Sequence, residues 1–169
     1  QYEPKIFNKP FRIYLNKRNQ SLLCLAENLV FCDQKGLMID TNVNDKNHFA
    51  TVFKEKEINF SGHVISKKGY VQRELKDYLK ADWEQIANHG ANYIAFHIPE
   101  GSKLTLDNLN ASFLEANAFF NKYLPEFQYQ LFGTDSWIFD DQIAEYLPES
   151  NIAKFQQCVH LLPIKNGND

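Results

Sequence analysis

The stretch that decides the fold, residues 91–124, reads ANYIAFHIPEGSKLTLDNLNASFLEANAFFNKYL. Its first eight residues form a compact apolar run that ends at Pro99, and this length favours a strand buried on both faces. Thr105 is placed to cap a helix that begins at Leu106. Apolar residues then recur at spacings of three and four, at Leu106, Leu109, Phe113, Ala116, Phe120 and Leu124. The stretch therefore predicts a buried strand, a turn and an amphipathic helix that Pro125 ends.

The residues before this stretch have the short alternating pattern of β-structure. Residues 11–15 and 22–32 predict strands, and a turn at 34–36 leads into residues 37–39. Residues 49–53 predict a short strand, and residues 62–71 predict a hairpin with Gly69 at its turn. Residues 40–48 are polar and predict a surface loop. The spacing of these elements indicates an antiparallel meander.

Further elements flank the decisive stretch. Asp82 is expected to cap a short helix over Trp83–Asn88 that ends at Gly90. Residues 129–139 predict another strand, and residues 159–164 a last one. Asp140 or Asp141 is expected to cap a helix that runs through Tyr146, and Ser150 a further helix. This order is an α+β (or α/β) layout, with helices packed on one twisted sheet.

Bulk composition limits the possible functions. The chain has 169 residues, which suits one domain, and 44% of them are hydrophobic. The formal charge of −3 argues against a nucleic-acid partner. No apolar run approaches the ~20 residues that span a bilayer, so no membrane partner is expected. Three cysteines without CxxC spacing fit a reducing, cytoplasmic location, and scattered histidines predict no metal site.

The turn at residues 99–105 is a candidate anion site. Free N–H groups and the dipole at a helix N-terminus favour a phosphate or pyrophosphate. Gly101 permits close backbone approach, Lys103 adds a positive charge, and Ser102 and Thr105 add hydroxyls. The alternative is an ordinary strand-to-helix turn with an N-cap, since a single glycine is not a Gly-rich loop.

Three side chains near this turn are candidates for catalysis. His97 lies near the carboxyl end of the buried strand, where open α/β sheets place ligands, and its imidazole suits a general base. Glu100 could act as the base if burial raised its pKa. The alternative for His97 is a ring that simply bonds backbone groups. Ser136 with His97 and an Asp could form a hydrolase-like triad, although the chain has no G-x-S-x-G elbow.

Several strings, in order along the chain, carry a family resemblance. They include Phe49–Phe53, the hairpin glycines, His97-Ile98-Pro99-Glu100-Gly101, Tyr123-Leu124-Pro125, Ser136–Asp140 and Leu147–Ile152. Together they resemble the GNAT-like C-terminal domain of bacterial two-domain proteins regarded as acyltransferases. The chain starts at Gln1 in what already reads as a strand, so a longer protein is expected, with a helical N-terminal domain as partner.

The resemblance implies a GNAT-like fold, with a central twisted sheet that is mixed but mostly antiparallel and is flanked by helices. It implies that acyl-CoA or acetyl-CoA is the acyl donor and that an unknown small-molecule amine is the acceptor. The cofactor contacts it implies are Gly101, Ser102, Lys103, Leu104, Thr105 and Asn151. The Arg/Gln-x-x-Gly-x-Gly/Ala loop of those enzymes is absent, and a non-catalytic GNAT-like binding module is the alternative function.

Overall fold

The computed structural model describes residues 1–40, 47–102 and 104–163, with the backbone alone at Asp141. Its elements in chain order are β1 (Tyr2–Ile6), β2 (Phe11–Asn16), β3 (Leu22–Ala26), β4 (Phe31–Cys32), β5 (Phe49–Ala50), β6 (Lys54–Glu55), β7 (Asn59–Ile65), β8 (Val71–Leu79), β9 (Trp83–Ala87), β10 (Asn92–Phe96), α1 (Leu106–Tyr123), β11 (Phe132–Gly133), α2 (Asp141–Tyr146) and α3 (Asn151–Gln156). The fold is α+β and the strand pairing is mainly antiparallel, as predicted. The chain divides into two compact units, unit 1 (Gln1–Phe7 and Gly90–Val159) and unit 2 (Asn8–His89 and His160–Asp169).

Unit 2 contains a six-stranded antiparallel sheet. Five of its strands lie in the order β6-β7-β3-β2-β9, and β8 also pairs with β7, while β4 and β5 form a separate two-stranded ladder. The predicted hairpin at residues 62–71 is confirmed, because β7 pairs antiparallel with β8. The predicted meander is wrong beyond its first pair: β2 pairs with β3, but β3 then pairs with β7, and β4 pairs with β5. Gly69, at φ 83°, occupies the hairpin turn because a positive φ costs glycine little. The predicted turn at Gly36 has a positive φ as well, at 87°.

The core of unit 2 is rich in aromatic rings. Leu25 is completely buried, and Tyr14 stacks on Phe60 with ring centroids 4.5 Å apart. The buried members of this cluster are Tyr14, Leu23, Leu25, Phe53 and Phe60. Among the described residues of the unit, three polar residues are also buried, Thr51, Ser61 and His63. Each has a hydrogen-bond partner, so burial leaves none of them unsatisfied.

The predicted helix over Trp83–Asn88 is wrong. These residues form β9, which pairs antiparallel with β2 from Trp83 opposite Asn16 to Ala87 opposite Ile13. A six-residue helix is marginal by itself, so the ladder offered by β2 overrides the local preference. Asp82 ends a 3-10 turn and forms an ion pair with Arg18 at 3.0 Å, and does not cap a helix. Gly90 does adopt the predicted positive φ, at 93°.

Other predicted strands are shorter than expected. The strand at 49–53 covers only Phe49–Ala50, and the strand at 129–139 only Phe132–Gly133, followed by a 3-10 turn at Trp137–Phe139. In place of the last strand, a single bridge joins Leu161 to Lys68 within the described residues. The predicted loop at 40–48 lies largely outside the described residues. Apolar runs alone did not distinguish ladder pairing from other kinds of burial.

Unit 1 combines a three-stranded sheet with the three α-helices found in the described part of the chain. The sheet order is β1-β10-β11, with β1 antiparallel and β11 parallel to β10. The predicted helices are confirmed, with N-caps at Thr105, Asp140 and Ser150. Ile94, Ala116 and Phe120 are buried in one core cluster, and Phe96, Ile138 and Phe155 in another. The strand predicted at residues 91–98 is confirmed as β10, but it covers only Asn92–Phe96, and only its last three residues are buried.

Candidate functional site

His97 follows β10 directly and is fixed by its backbone. Its N–H donates to the carbonyl of Gln1 at 2.8 Å, and its carbonyl accepts from the amino terminus of Gln1 at 3.2 Å. The side chain is half exposed, and its Nε2 lies 3.7 Å from Oε2 of Glu3 on β1. The same carboxylate lies 3.0 Å from Nζ of Lys5. The pairing of β1 with β10 therefore brings Lys5, Glu3 and His97 together at the surface.

Glu3 supplies the negative charge of this cluster. Its pKa lies below the ordinary value, mainly because the carboxylate accepts a hydrogen bond from Lys5. The group is thus ionised at neutral pH. An ionised carboxylate beside an imidazole orients the ring and stabilises the charge that the ring gains when it takes up a proton. Glu3 was not predicted as a site residue, because only the register of β1 against β10 reveals its position.

The backbone beyond His97 lies at the end of a ladder. β10 pairs with β11 only at Ile94–Phe132 and Ala95–Gly133, and Ile94 donates its N–H to Leu131. Alternate residues of a strand direct their N–H groups to the same edge of the strand. The N–H of Ile98 therefore points to the β11 side of β10, as the N–H of Ile94 does. Among the described residues, the N–H of Ile98 has no acceptor. A backbone donor is therefore available next to His97.

The predicted anion loop is a closed β-turn. Ser102 donates its N–H to the carbonyl of Pro99 at 3.2 Å, and Gly101 has φ 76°, which the turn requires at that position. The turn therefore uses the N–H of Ser102, which is not free to bind an anion. Glu100 is exposed and forms no hydrogen bond or ion pair with another residue of the described chain. Lys103 lies outside the described residues.

The start of α1 is capped and stapled. The hydroxyl of Thr105 accepts the N–H of Asn108 at 3.3 Å. Leu104 and Leu109 both pack against the cluster around Phe96, in the positions of a hydrophobic staple. Asp107, in the first turn, places a negative charge at the helix N-terminus. Leu104 and Thr105 therefore have structural roles, and Asp107 opposes a bound anion.

Ser136 and Asn151 lie on other elements. The Ser136 hydroxyl accepts the N–H of Ile138 at 3.5 Å and caps the 3-10 turn. Asn151 is the exposed first residue of α3. Within the described residues, neither side chain is hydrogen-bonded to His97. His97 is brought together with Glu3, and not with Ser136.

Two open depressions lie on unit 1. One, of ≈ 370 Å³, lies along α1 and includes Tyr2, whose hydroxyl is 2.6 Å from that of Ser112. The other, of ≈ 360 Å³, is lined by Trp137, Asp140, Gln142, Ile143, Tyr146 and Leu147. Neither is lined by His97 or by the turn at residues 99–102.

The comparisons with known proteins give one match. The family model of the GNAT-like C-terminal domain matches residues 72–169, more than half of the chain. The chain belongs to this family. The match covers β8 to α3, which includes His97 and the capped helix α1. The predicted GNAT-like fold is confirmed by it. No curated protein and no solved structure matches the chain.

The described residues of this GNAT-like chain provide neither a membrane-spanning helix nor a metal-binding cluster. No described helix is both long and apolar enough to cross a bilayer. The same part of the chain contains no group of three or more His, Cys, Asp or Glu side chains arranged to hold a metal ion.

Proposed function

We propose that this GNAT-like domain is an acyl-CoA-dependent N-acyltransferase that passes an acyl group to a small amine. The observation that supports this function is the pair formed by His97 and Glu3, 3.7 Å apart at the end of β10. Next to it are an unused backbone donor, Ile98, and the strand–turn–helix unit on which members of this fold bind acyl donors. The family match supports the same class of chemistry.

The proposed reaction uses few protein groups. The amine nitrogen attacks the thioester carbonyl carbon, a C–N bond forms, and His97 takes the proton of the amine. The C–S bond then breaks, and CoA leaves as a thiolate that takes up a proton. Glu3 holds the imidazole and stabilises its charge, and the N–H of Ile98 donates to the oxyanion. Gly101, Ser102 and Thr105 would lie nearest the phosphates of the donor.

The test is calorimetric titration with acetyl-CoA and longer acyl-CoAs, followed by an assay of CoA release with added amines. His97→Gln should leave acyl-CoA affinity within twofold and lower turnover by about 10²-fold, the scale of a lost general base. His89→Gln, at an exposed histidine of unit 2, is the matched control and should change neither quantity. The proposal fails if the folded protein shows neither heat nor a thermal shift with any acyl-CoA.

A second function, a non-catalytic GNAT-like binding module, has its own support. The N–H of Ser102 is used by the turn, Asp107 opposes an anion at the start of α1, and neither depression is lined by His97. If the domain is such a module, acyl-CoA should produce neither heat nor a thermal shift, although the protein binds another partner. The titration above therefore separates the two functions.

A further inference from the structure

A solvent-exposed apolar groove lies on the segment between β11 and α3. Trp137 is 76% exposed, Tyr146 80% and Leu147 60%. Large apolar side chains with such exposure, gathered in one depression, mark interaction surfaces more often than chance positions. We infer that this groove docks a basic segment of a partner protein, with an apolar side chain seated between Trp137 and the face of α2.

Local structure explains why these side chains point outward together. Ile138 is buried beneath the 3-10 turn, which leaves its neighbour Trp137 at the surface. Ile143 and Tyr146 on α2 are three residues apart, and the C-cap Leu147 follows four residues after Ile143, so the three side chains lie on one side of the helix. The groove thus has an aromatic ring on one side and a short apolar helix face on the other.

Hydrogen bonds from Gln156 on α3 maintain the shape of the groove. The side-chain amide of Gln156 donates to the carbonyls of both Ile138 and Asp140, the latter at 2.9 Å. Asp140 also accepts the N–H of Gln142 at 2.9 Å, which fixes the start of α2. A surface held by such bonds loses little conformational entropy when a ligand binds.

The negative charge of the segment around the groove indicates what kind of partner it binds. Residues 123–153 contain no Lys, Arg or His and contain six acidic residues, Glu126, Asp135, Asp140, Asp141, Glu145 and Glu149. This segment has a formal charge of −6, although the whole chain has only −3. Asp140 lines the groove itself, and neither it nor Glu145 forms an ion pair with a residue of the described ranges. An apolar groove in a negative field fits a Lys- or Arg-rich amphipathic peptide and repels an acidic one.

The test measures fluorescence anisotropy of a labelled amphipathic peptide made of Leu and Lys, beside a copy with Glu in place of Lys. We expect the Lys peptide to bind, the Glu copy to bind at least tenfold more weakly, and affinity for the Lys peptide to fall as salt rises. Trp137→Ala should weaken binding about tenfold. Asp140→Asn should weaken it severalfold, because Asn keeps the helix cap and removes the charge.

Two matched variants serve as controls. Glu126→Gln removes an exposed charge of the same acidic segment outside the groove, and Leu114→Ala removes a leucine that is 71% exposed on α1. Both should bind the Lys peptide within twofold of the parent protein, and melting curves of all variants should coincide within a few degrees.

Three outcomes would overturn the inference. The first is equal binding of the Glu copy, or an unchanged affinity in Trp137→Ala. The second is a blue shift of Trp137 emission on neutral phosphatidylcholine vesicles without peptide binding, which would assign the groove to a lipid surface. The third is self-association in sedimentation that Trp137→Ala abolishes, which would assign it to a second copy of the chain.

Discussion

The two units differ in where they place polar side chains. Unit 2 places polar groups inside and satisfies them: Thr51 is 1% exposed, and its hydroxyl accepts the N–H of Val30 at 3.0 Å. Unit 1 keeps His97, Glu3 and Trp137 at the surface. Buried polar groups with full hydrogen bonding stabilise a fold, whereas exposed and convergent groups are available to ligands. The difference supports the proposal that the functional site lies on unit 1.

The cysteines of the two units also differ in burial. Burial raises the pKa of Cys24 to about 12 and that of Cys32 to about 11, and both lie in unit 2. The thiolate is the reactive form, so these two cysteines are unreactive packing residues. Cys158, in unit 1, is exposed.

The largest test of this division is truncation of the unit 2 core. Leu25→Ala should lower the free energy of unfolding by about 4 kcal/mol, because Leu25 is completely buried and its removal leaves a cavity. Leu114→Ala, on the exposed face of α1, should change stability by less than ~0.5 kcal/mol. Urea denaturation measures both. Equal losses of unfolding free energy in the two variants would mean that the exposed Leu114 stabilises the protein as much as the buried Leu25 does.

The cost of replacing a glycine by alanine should also differ between the two units. A Cβ on Gly36 would lie 2.2 Å from the carbonyl oxygen of Val71, whereas a Cβ on Gly101 would meet nothing within 4 Å. Both residues have a positive φ. Gly36→Ala should therefore cost about 3 kcal/mol from backbone clash and strain, and Gly101→Ala only the strain, about 1 kcal/mol. Thermal melts of the two variants give the difference, and a reversed order would contradict the tight packing of unit 2 at Gly36.

Removal of the N-cap of α1 should cause a smaller loss of stability, confined to unit 1. Thr105→Ala removes the acceptor for the N–H of Asn108 and should cost about 1 kcal/mol, while Thr105→Ser should keep most of the stability. Hydrogen exchange measured along the chain should show the loss of protection in α1. Faster exchange in β2 and β3 as well would mean that the two units do not respond independently.

The smallest effect concerns a histidine of unit 2. Burial lowers the pKa of His160, although its Nε2 lies 3.1 Å from the carbonyl of Ile65, a hydrogen bond that acts in the opposite direction. Above about pH 6.5 the ring is neutral in both folded and unfolded chains and has no effect on the pH dependence. Below that pH the unfolded chain binds the proton first, so stability falls until the folded ring also titrates.

His160→Gln keeps a donor for the carbonyl of Ile65 and should flatten the decline of unfolding free energy between pH 7 and pH 5. His89→Gln, at an exposed histidine, should leave that decline unchanged. Urea midpoints at three pH values are sufficient for the measurement. An unaltered slope in His160→Gln would show that burial of this ring does not govern acid sensitivity.

Much of the fold could be predicted from local pattern, because turns and caps depend on neighbouring residues. Thr105, Asp140 and Ser150 each cap the helix that the sequence assigned to them. Trp83–Ala87 could not be predicted, since its strand form depends on pairing with β2, which lies far away in sequence. The candidate site also depends on contacts that the sequence does not display: the turn uses the N–H of Ser102, and Glu3, which lies beside His97, was not predicted.

The sequence by itself determined the hairpin at residues 62–71, the strand–turn–helix at 91–124 and the family, because periodicity, capping residues and ordered strings are local properties. Only the tertiary structure decided which groups meet. The register of β1 against β10 placed Glu3 beside His97, and the burial of Ile138 turned Trp137 outward. The physical reason is that contacts between distant segments depend on register and packing, and neither has a local pattern that a sequence displays.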